Sequence, residues 1–205
     1  MIADVDQALR AIIEKDALDG TGVEVTFDAP TKEWAGRRTG PTVDVFLYDI
    51  REDLRRRESG MVNEYSGSSV TARHLPPRYF KLSYLVAAWT QRPEDEHGLL
   101  ARLLTCFLQY QSIPAGRVDG VLAETGLPVP MSVALPPPED RSFADVWSAL
   151  GGELKPSLDV VVTAPLAVPR TLAVGPPVLH PTVVVAERLG GAPARETHRR
   201  RREHR

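Results

Sequence analysis

The sequence predicts an α+β fold, a mixed β-sheet flanked by helices, followed by an extended C-terminal arm. Three observations carry this. Residues 42–50 and 79–89 are long β-patterned runs, and the first is apolar on both faces, as in a central strand covered on both sides. Residues 93–108 hold a dense helical apolar stripe between them and the later strands. Past Ala164 the pattern fails, with prolines at 165, 169, 176, 177, 181 and 193, a composition that favours extended chain over a packed core.

Ile2, Val5, Leu9, Ile12 and Ile13 recur at helical spacing, so residues 3–18 read as an amphipathic helix stopped near Gly20. Residues 23–27 alternate and read as a strand. Residues 28–41 read as a polar loop carrying one aromatic, Trp34. In the strong strand 42–50, Val43, Val45 and Leu47 take one face and Phe46, Tyr48 and Ile50 the other. Residues 51–76, rich in Arg, Ser and Gly, read as a long connection or a weak hairpin.

Phe80, Leu82, Tyr84, Val86 and Ala88 form the inner face of the next strand. Pro93 then opens a helix at its favoured first position, with Glu94, Asp95 and Glu96 in the first turn, where the dipole favours negative charge. Leu99, Leu100, Leu103, Leu104, Phe107 and Leu108 make it the central packing helix. Residues 128–135 read as a short strand. Ser142 reads as an N-cap with Asp145 as capping-box partner. Phe143, Val146, Trp147 and Leu150 then form an apolar stripe ended by Gly151-Gly152. Residues 158–163 are the last clear strand, and 183–186 are the one strand-like piece of the arm. The domains are therefore 1–164 and 165–205.

Composition is that of an ordinary globular protein, 42% hydrophobic and 25% charged, with a net charge of −2. The charge is uneven. Residues 195–205 hold six Arg and two Glu, which leaves about −6 on the body. An acidic body with a basic tip suits a tail that docks on an acidic partner. Cys106 is the sole cysteine, so no intrachain disulfide forms. The first residues carry acids where a secretory leader carries bases, and no apolar run reaches a membrane span, so cytosolic synthesis is expected.

Tests for chemistry return ordinary answers. The five histidines, at 74, 97, 180, 198 and 204, form no spaced pair with Cys or with one another. Asp95, Glu96 and His97 are adjacent on a helix and point about 100° apart, so they do not converge on a metal. Cys106 lies among Leu103, Leu104, Phe107 and Leu108 and reads as a small buried hydrophobe. Ser66-Gly67-Ser68-Ser69 lacks the lysine of a phosphate loop. Asp44 and Asp49 have no supporting acid–base residue nearby in sequence. Arg55-Arg56-Arg57 is a solvated run or a contact with an acidic subunit. No aromatics interleave with it, which argues against nucleic acid. Trp34 reads as a satellite-core residue or an interface anchor, and Trp147 as core.

Four segments in order resemble a known family. They are 23–30 with Glu33-Trp34; 40–52; 76–89 with residues 95–100; and 145–152 with 156–165. Together, over roughly residues 1–180, they resemble the N-terminal domain of the tail-terminator, or cap, proteins of extracellular contractile injection systems, of the antifeeding-prophage and virulence-cassette type. The resemblance implies a phage tail-terminator-like fold with no catalytic residue, cofactor or metal. It also implies a six-fold ring that ends the inner tube and holds the last sheath ring. Implied partners are further copies of the chain, the inner-tube protein and the sheath protein, with no nucleic acid or membrane, in a cytoplasmic particle open to release. Candidate contacts are Trp34, Arg37 and Arg38 on the first loop and Arg51, Arg55, Arg56 and Arg57 on the second. Arg170 and the tip residues Arg199, Arg200, Arg201 and Arg202 complete the set. Two other readings stand beside it: a baseplate or adaptor subunit of the same particle, and a small cytosolic enzyme.

Overall fold

A computed structural model describes residues 1–67, 69–136 and 142–175. Met1–Val174 form one compact unit. Its main sheet has five strands in the order β1-β2-β5-β7-β6. These are β1 (Glu24–Thr26), β2 (Thr42–Glu52), β5 (Arg78–Trp89), β7 (Ser157–Leu166) and β6 (Met131–Val133). β1 runs parallel to β2, and the other pairs are antiparallel. A smaller sheet has the order β3-β4-β8, built from β3 (Val62–Ser66), β4 (Ser69–His74) and β8 (Thr171–Ala173).

Alternation along β5 divides the core. Leu82, Tyr84 and Val86 face a layer that holds α1 (Ile2–Ile12), α3 (Pro93–Phe107) and α4 (Gly120–Glu124). Leu85 and Ala87 face Trp147 of α5 (Phe143–Ala149), joined by Phe46, Tyr48 and Trp89. Both faces of the strand are buried because both are apolar, as expected of a central position. On α1 the buried Val5, Ala8, Leu9 and Ile12 form one stripe. The helix does not continue straight to residue 18. It widens into a π turn over Ile13–Ala17, where the Leu18 N–H donates to the Ile13 carbonyl at 2.9 Å.

Several expectations are corrected. The strand 42–50 does not alternate throughout. The β2–β5 register shifts between Leu47 and Asp49, so that Ile50 comes opposite Leu82 and not onto the Phe46 side. A bulge of this kind re-aims every later side chain. The polar loop 28–41 contains a short helix, α2 (Lys32–Gly36), started by the Thr31 hydroxyl accepting from the Trp34 N–H at 3.2 Å. Of the two readings of residues 51–76, the hairpin is the one found, as β3 pairs with β4. β7 runs past residue 163 to Leu166, and β8 follows it, so the stretch from 165 begins as sheet. Ser142 occupies the N-cap of α5 but makes no side-chain capping bond. Leu108, expected on the packed stripe of α3, is 66% exposed. The strand-like piece 183–186 and the arginines from 195 onward lie outside the described residues.

Candidate assembly interface

The candidate contacts fall at opposite ends of the main sheet. Register places Thr42 opposite Trp89 at one end, and Glu52 opposite Phe80 at the other. Trp34, Arg37 and Arg38 sit in the segment that leads into the first end. Arg51, Arg55, Arg56, Arg57 and Arg170 gather at the second, where β2 ends, β5 begins and β7 ends. The small sheet lies in the chain at this same end. Residues 75–77 join β4 to β5, and residues 167–170 join β7 to β8.

Trp34 is buried, in agreement with its reading as a satellite-core residue. Its indole N–H donates to Asp28 Oδ2 at 2.9 Å, and its ring meets Trp89 edge-on at 5.5 Å. Trp89 in turn lies 6.1 Å from Trp147. The three tryptophans of the chain, from three separate segments, therefore form one cluster. Arg38 stacks over Trp34 at 4.5 Å and Lys155 over Trp89 at 4.4 Å. Such pairs combine ring burial with the attraction of a cation for the π face. Arg38 also pairs with Glu24 at 3.1 Å. It holds the α2 segment to β1 and is only partly available to a partner. Arg37 is exposed and pairs with Glu33 at 3.7 Å.

At the other end, acids of the chain itself occupy much of the arginine run. Arg57 pairs with Glu52 at 3.3 Å, and Arg78 pairs with the same carboxylate. Arg56 pairs with Asp53 at 3.8 Å and covers the Tyr79 ring. Lys81 shares Asp53, and Arg51 pairs with Asp49 at 3.0 Å. Exposed pairs of this kind contribute about 0–1 kcal/mol each, so they shape the surface more than they hold the fold. Arg55 and Arg170 make no ion pair among the described residues and are exposed. Arg199, Arg200, Arg201 and Arg202 lie outside the described residues.

The reading from sequence missed the exposed apolar side chains of the small sheet, Val62, Tyr65 and Leu172. A usable signal was present: alternation on both sides of Gly67 marks a hairpin.

The groups best suited to chemistry have structural surroundings. Asp44 is fully buried. It accepts from the Thr26 hydroxyl at 2.9 Å, and burial pushes its pKa up to about 7 against the lowering effect of that bond. Burial also raises the pKa of the Asp6 carboxyl, which accepts from the Tyr84 hydroxyl at 2.7 Å. Cys106 is buried, and burial raises its thiol pKa, away from the thiolate that a nucleophile needs. Among the described residues no three His, Cys, Asp or Glu side chains gather where they could hold a metal. Among them, too, no helix is long and apolar enough to cross a membrane.

The family model described as the Pvc16 N-terminal domain matches residues 4–180. The chain belongs to the Pvc16 N-terminal domain family. No curated protein matches it. Two solved structures share the fold of this Pvc16-type domain. One is the sheath/tube terminator of an extracellular contractile injection system, PVC, in its extended state. It has a TM-score of 0.69 and 22% identity, over 94% of this chain and 65% of that one. The other is the tube-terminating cap of the anti-feeding prophage, with a TM-score of 0.62 and 21% identity, over 90% of this chain and 62% of that one. This chain thus spans just under two thirds of the length of each. The α+β fold and the family expected from the four resembling segments agree with these matches.

Proposed function

We propose that this chain is a structural cap, the tail terminator of a phage-tail-like contractile injection system. In this reading it forms a ring, six-fold by the family resemblance, that ends the inner tube and holds the last sheath ring. Its partners are further copies of itself, the tube protein and the sheath protein. It works by surface complementarity and makes or breaks no covalent bond. The observation that carries the reading is the shared fold over 94% of the chain with a sheath/tube terminator. The internal use of Asp44, Asp6 and Cys106, the groups best suited to chemistry, supports it.

A terminator needs one surface that fits the tube and another that does not propagate its geometry. The two ends of the main sheet differ in composition, which supports the reading. One is a braced aromatic cluster, the other an arginine-rich rim beside an exposed small sheet. The experiment is gene deletion followed by measurement of particle length by electron microscopy. The cap reading expects absent or heterogeneous tubes and sheaths. Normal-length particles closed at the end would reject it. Labelled protein found at the baseplate would favour an adaptor role instead.

A further inference from the structure

Among the described residues the small sheet has two open edges. β4 is its centre, so β3 and β8 each pair on one side. Among the described residues neither makes a backbone bond on its outer side. An unpaired edge is a template for another strand. Proteins that leave one unused blunt it with lysine, proline or a covering element. β3 holds no lysine and no proline. Tyr65 on β3 is 61% exposed, and Leu172 on β8 is 44% exposed. Each edge thus combines bare backbone with an exposed apolar side chain, and a strand-to-strand joint buries both.

The two edges also differ in charge. β3 carries the exposed Glu64, and the exposed Arg170 immediately precedes β8. Joining like edges sets acid against acid or base against base. Joining unlike edges sets Arg170 toward Glu64. An unlike joint is heterologous, so it repeats from copy to copy and closes into a ring when the rotation allows. Strand direction follows from the topology. β3 and β8 are each antiparallel to β4 and therefore run the same way. In a cyclic ring every copy keeps one sense about the axis, so the joint is parallel.

We propose that neighbouring copies of this chain are joined by a parallel strand pair, β8 of one copy on β3 of the next, with Arg170 facing Glu64. This deepens the ring reading above and rests on it. Neighbouring strands lie about 4.8 Å apart, within the Cα range of a disulfide. The test therefore places Leu172→Cys together with Ser66→Cys, or Thr171→Cys together with Tyr65→Cys, the pairs that the Arg170–Glu64 register sets opposite one another, in the full chain, in assembled particles, with each single variant as control. The native Cys106 is buried and stays in place. A ladder of covalent multimers in a double variant and in no single one supports the joint. Capped rings that give no ladder with either pair overturn the joint and leave the ring. Absence of any ring overturns the reading beneath it as well. As a second measurement, Glu64→Arg should weaken ring assembly about tenfold, and adding Arg170→Glu to the same chain should restore it. Unchanged assembly in Glu64→Arg overturns the proposed charge pairing.

Discussion

Thr26 donates its hydroxyl to Asp44 Oδ1 at 2.9 Å across the parallel β1–β2 pair, and Asp44 Oδ2 is buried with no hydrogen-bond partner among the described residues. Burial dominates the titration of this carboxyl, and the Thr26 hydroxyl and the nearby backbone N–H groups of Asp28 and Val45 act against it.

A pH dependence follows from that carboxyl. Its folded-state pKa, about 7, lies above the ordinary value of 3.8. Between these values the folded protein holds a proton that the unfolded chain has lost. Stability therefore falls as pH rises from about 4 through 7 and levels off above. Asp44→Asn removes this slope and raises stability above pH 7 by a few kcal/mol at most. Melting temperatures of both proteins from pH 5 to pH 8 check it. Parallel profiles would mean that Asp44 does not titrate in this range.

Tyr84→Phe removes the hydroxyl that ties β5 to Asp6 on α1. Tyr84 is fully buried, and hydrogen bonds to charged groups contribute about 1.5–3 kcal/mol. Urea denaturation should show a loss of that size at neutral pH with an unchanged slope. Parallel measurements on Asp6→Asn should give a smaller loss, because the amide oxygen still accepts the bond.

Trp147→Ala should cost about 3–5 kcal/mol, the usual penalty for emptying a large aromatic site. Trp147 is 1% exposed and fills the layer against Leu85 and Ala87. Tryptophan fluorescence should report the loss of the cluster, because Trp89 and Trp147 are 6.1 Å apart. An unchanged spectrum and unchanged stability would contradict this packing.

Gly120 offers a backbone test. Its φ is +60°, and an added Cβ would lie 2.8 Å from Asp4 Oδ1. That carboxylate pairs with the N-terminal ammonium at 3.0 Å and accepts from the Leu122 N–H at 3.2 Å. Gly120→Ala should therefore cost about 1–3 kcal/mol through left-handed strain and displacement of Asp4. Gly126 shares the positive φ but has open space around it, so Gly126→Ala should cost less by thermal melt. Equal losses would show that the Asp4 contact adds nothing.

Cys106 should resist thiol reagents in the folded protein and react at once on unfolding, because it is buried and its thiol pKa is raised by that burial. Timed labelling with and without denaturant reads this directly. Fast labelling of the native chain would place the thiol at the surface.

Much of the fold is legible in sequence where periodicity is strong. The runs around Val45, Val86 and Leu103 announce their elements, because two periods of burial repeat long enough to be read. The losses are local and have physical causes. The bulge after Leu47 is invisible because the apolar residues continue through it, and only the partner strand shows that Ile50 has changed side. The α2 helix is five residues long, too short for a period, and is held by tertiary packing of Trp34. β8 is three residues long and becomes a strand only because β4 supplies its partner. At the candidate interface the arginines were legible but their occupancy was not. Arg56 and Arg57 are drawn to acids only a few residues away, whereas Arg38 reaches across to Glu24.

The widened turn at the end of α1 has a partner far along the chain. Arg117 donates through Nη1 to the Ala11 carbonyl at 2.7 Å and through Nη2 to Asp16 Oδ1 at 2.8 Å, and Tyr110 donates to the other oxygen of Asp16. A π turn amounts to one residue inserted into a helix already fixed by its packing, and here a guanidinium spans the distorted stretch. Homologues that lack the insertion, with an ordinary helix in its place, have no use for this clamp. Length at residues 13–17 and the identity of position 117 should therefore be inherited together.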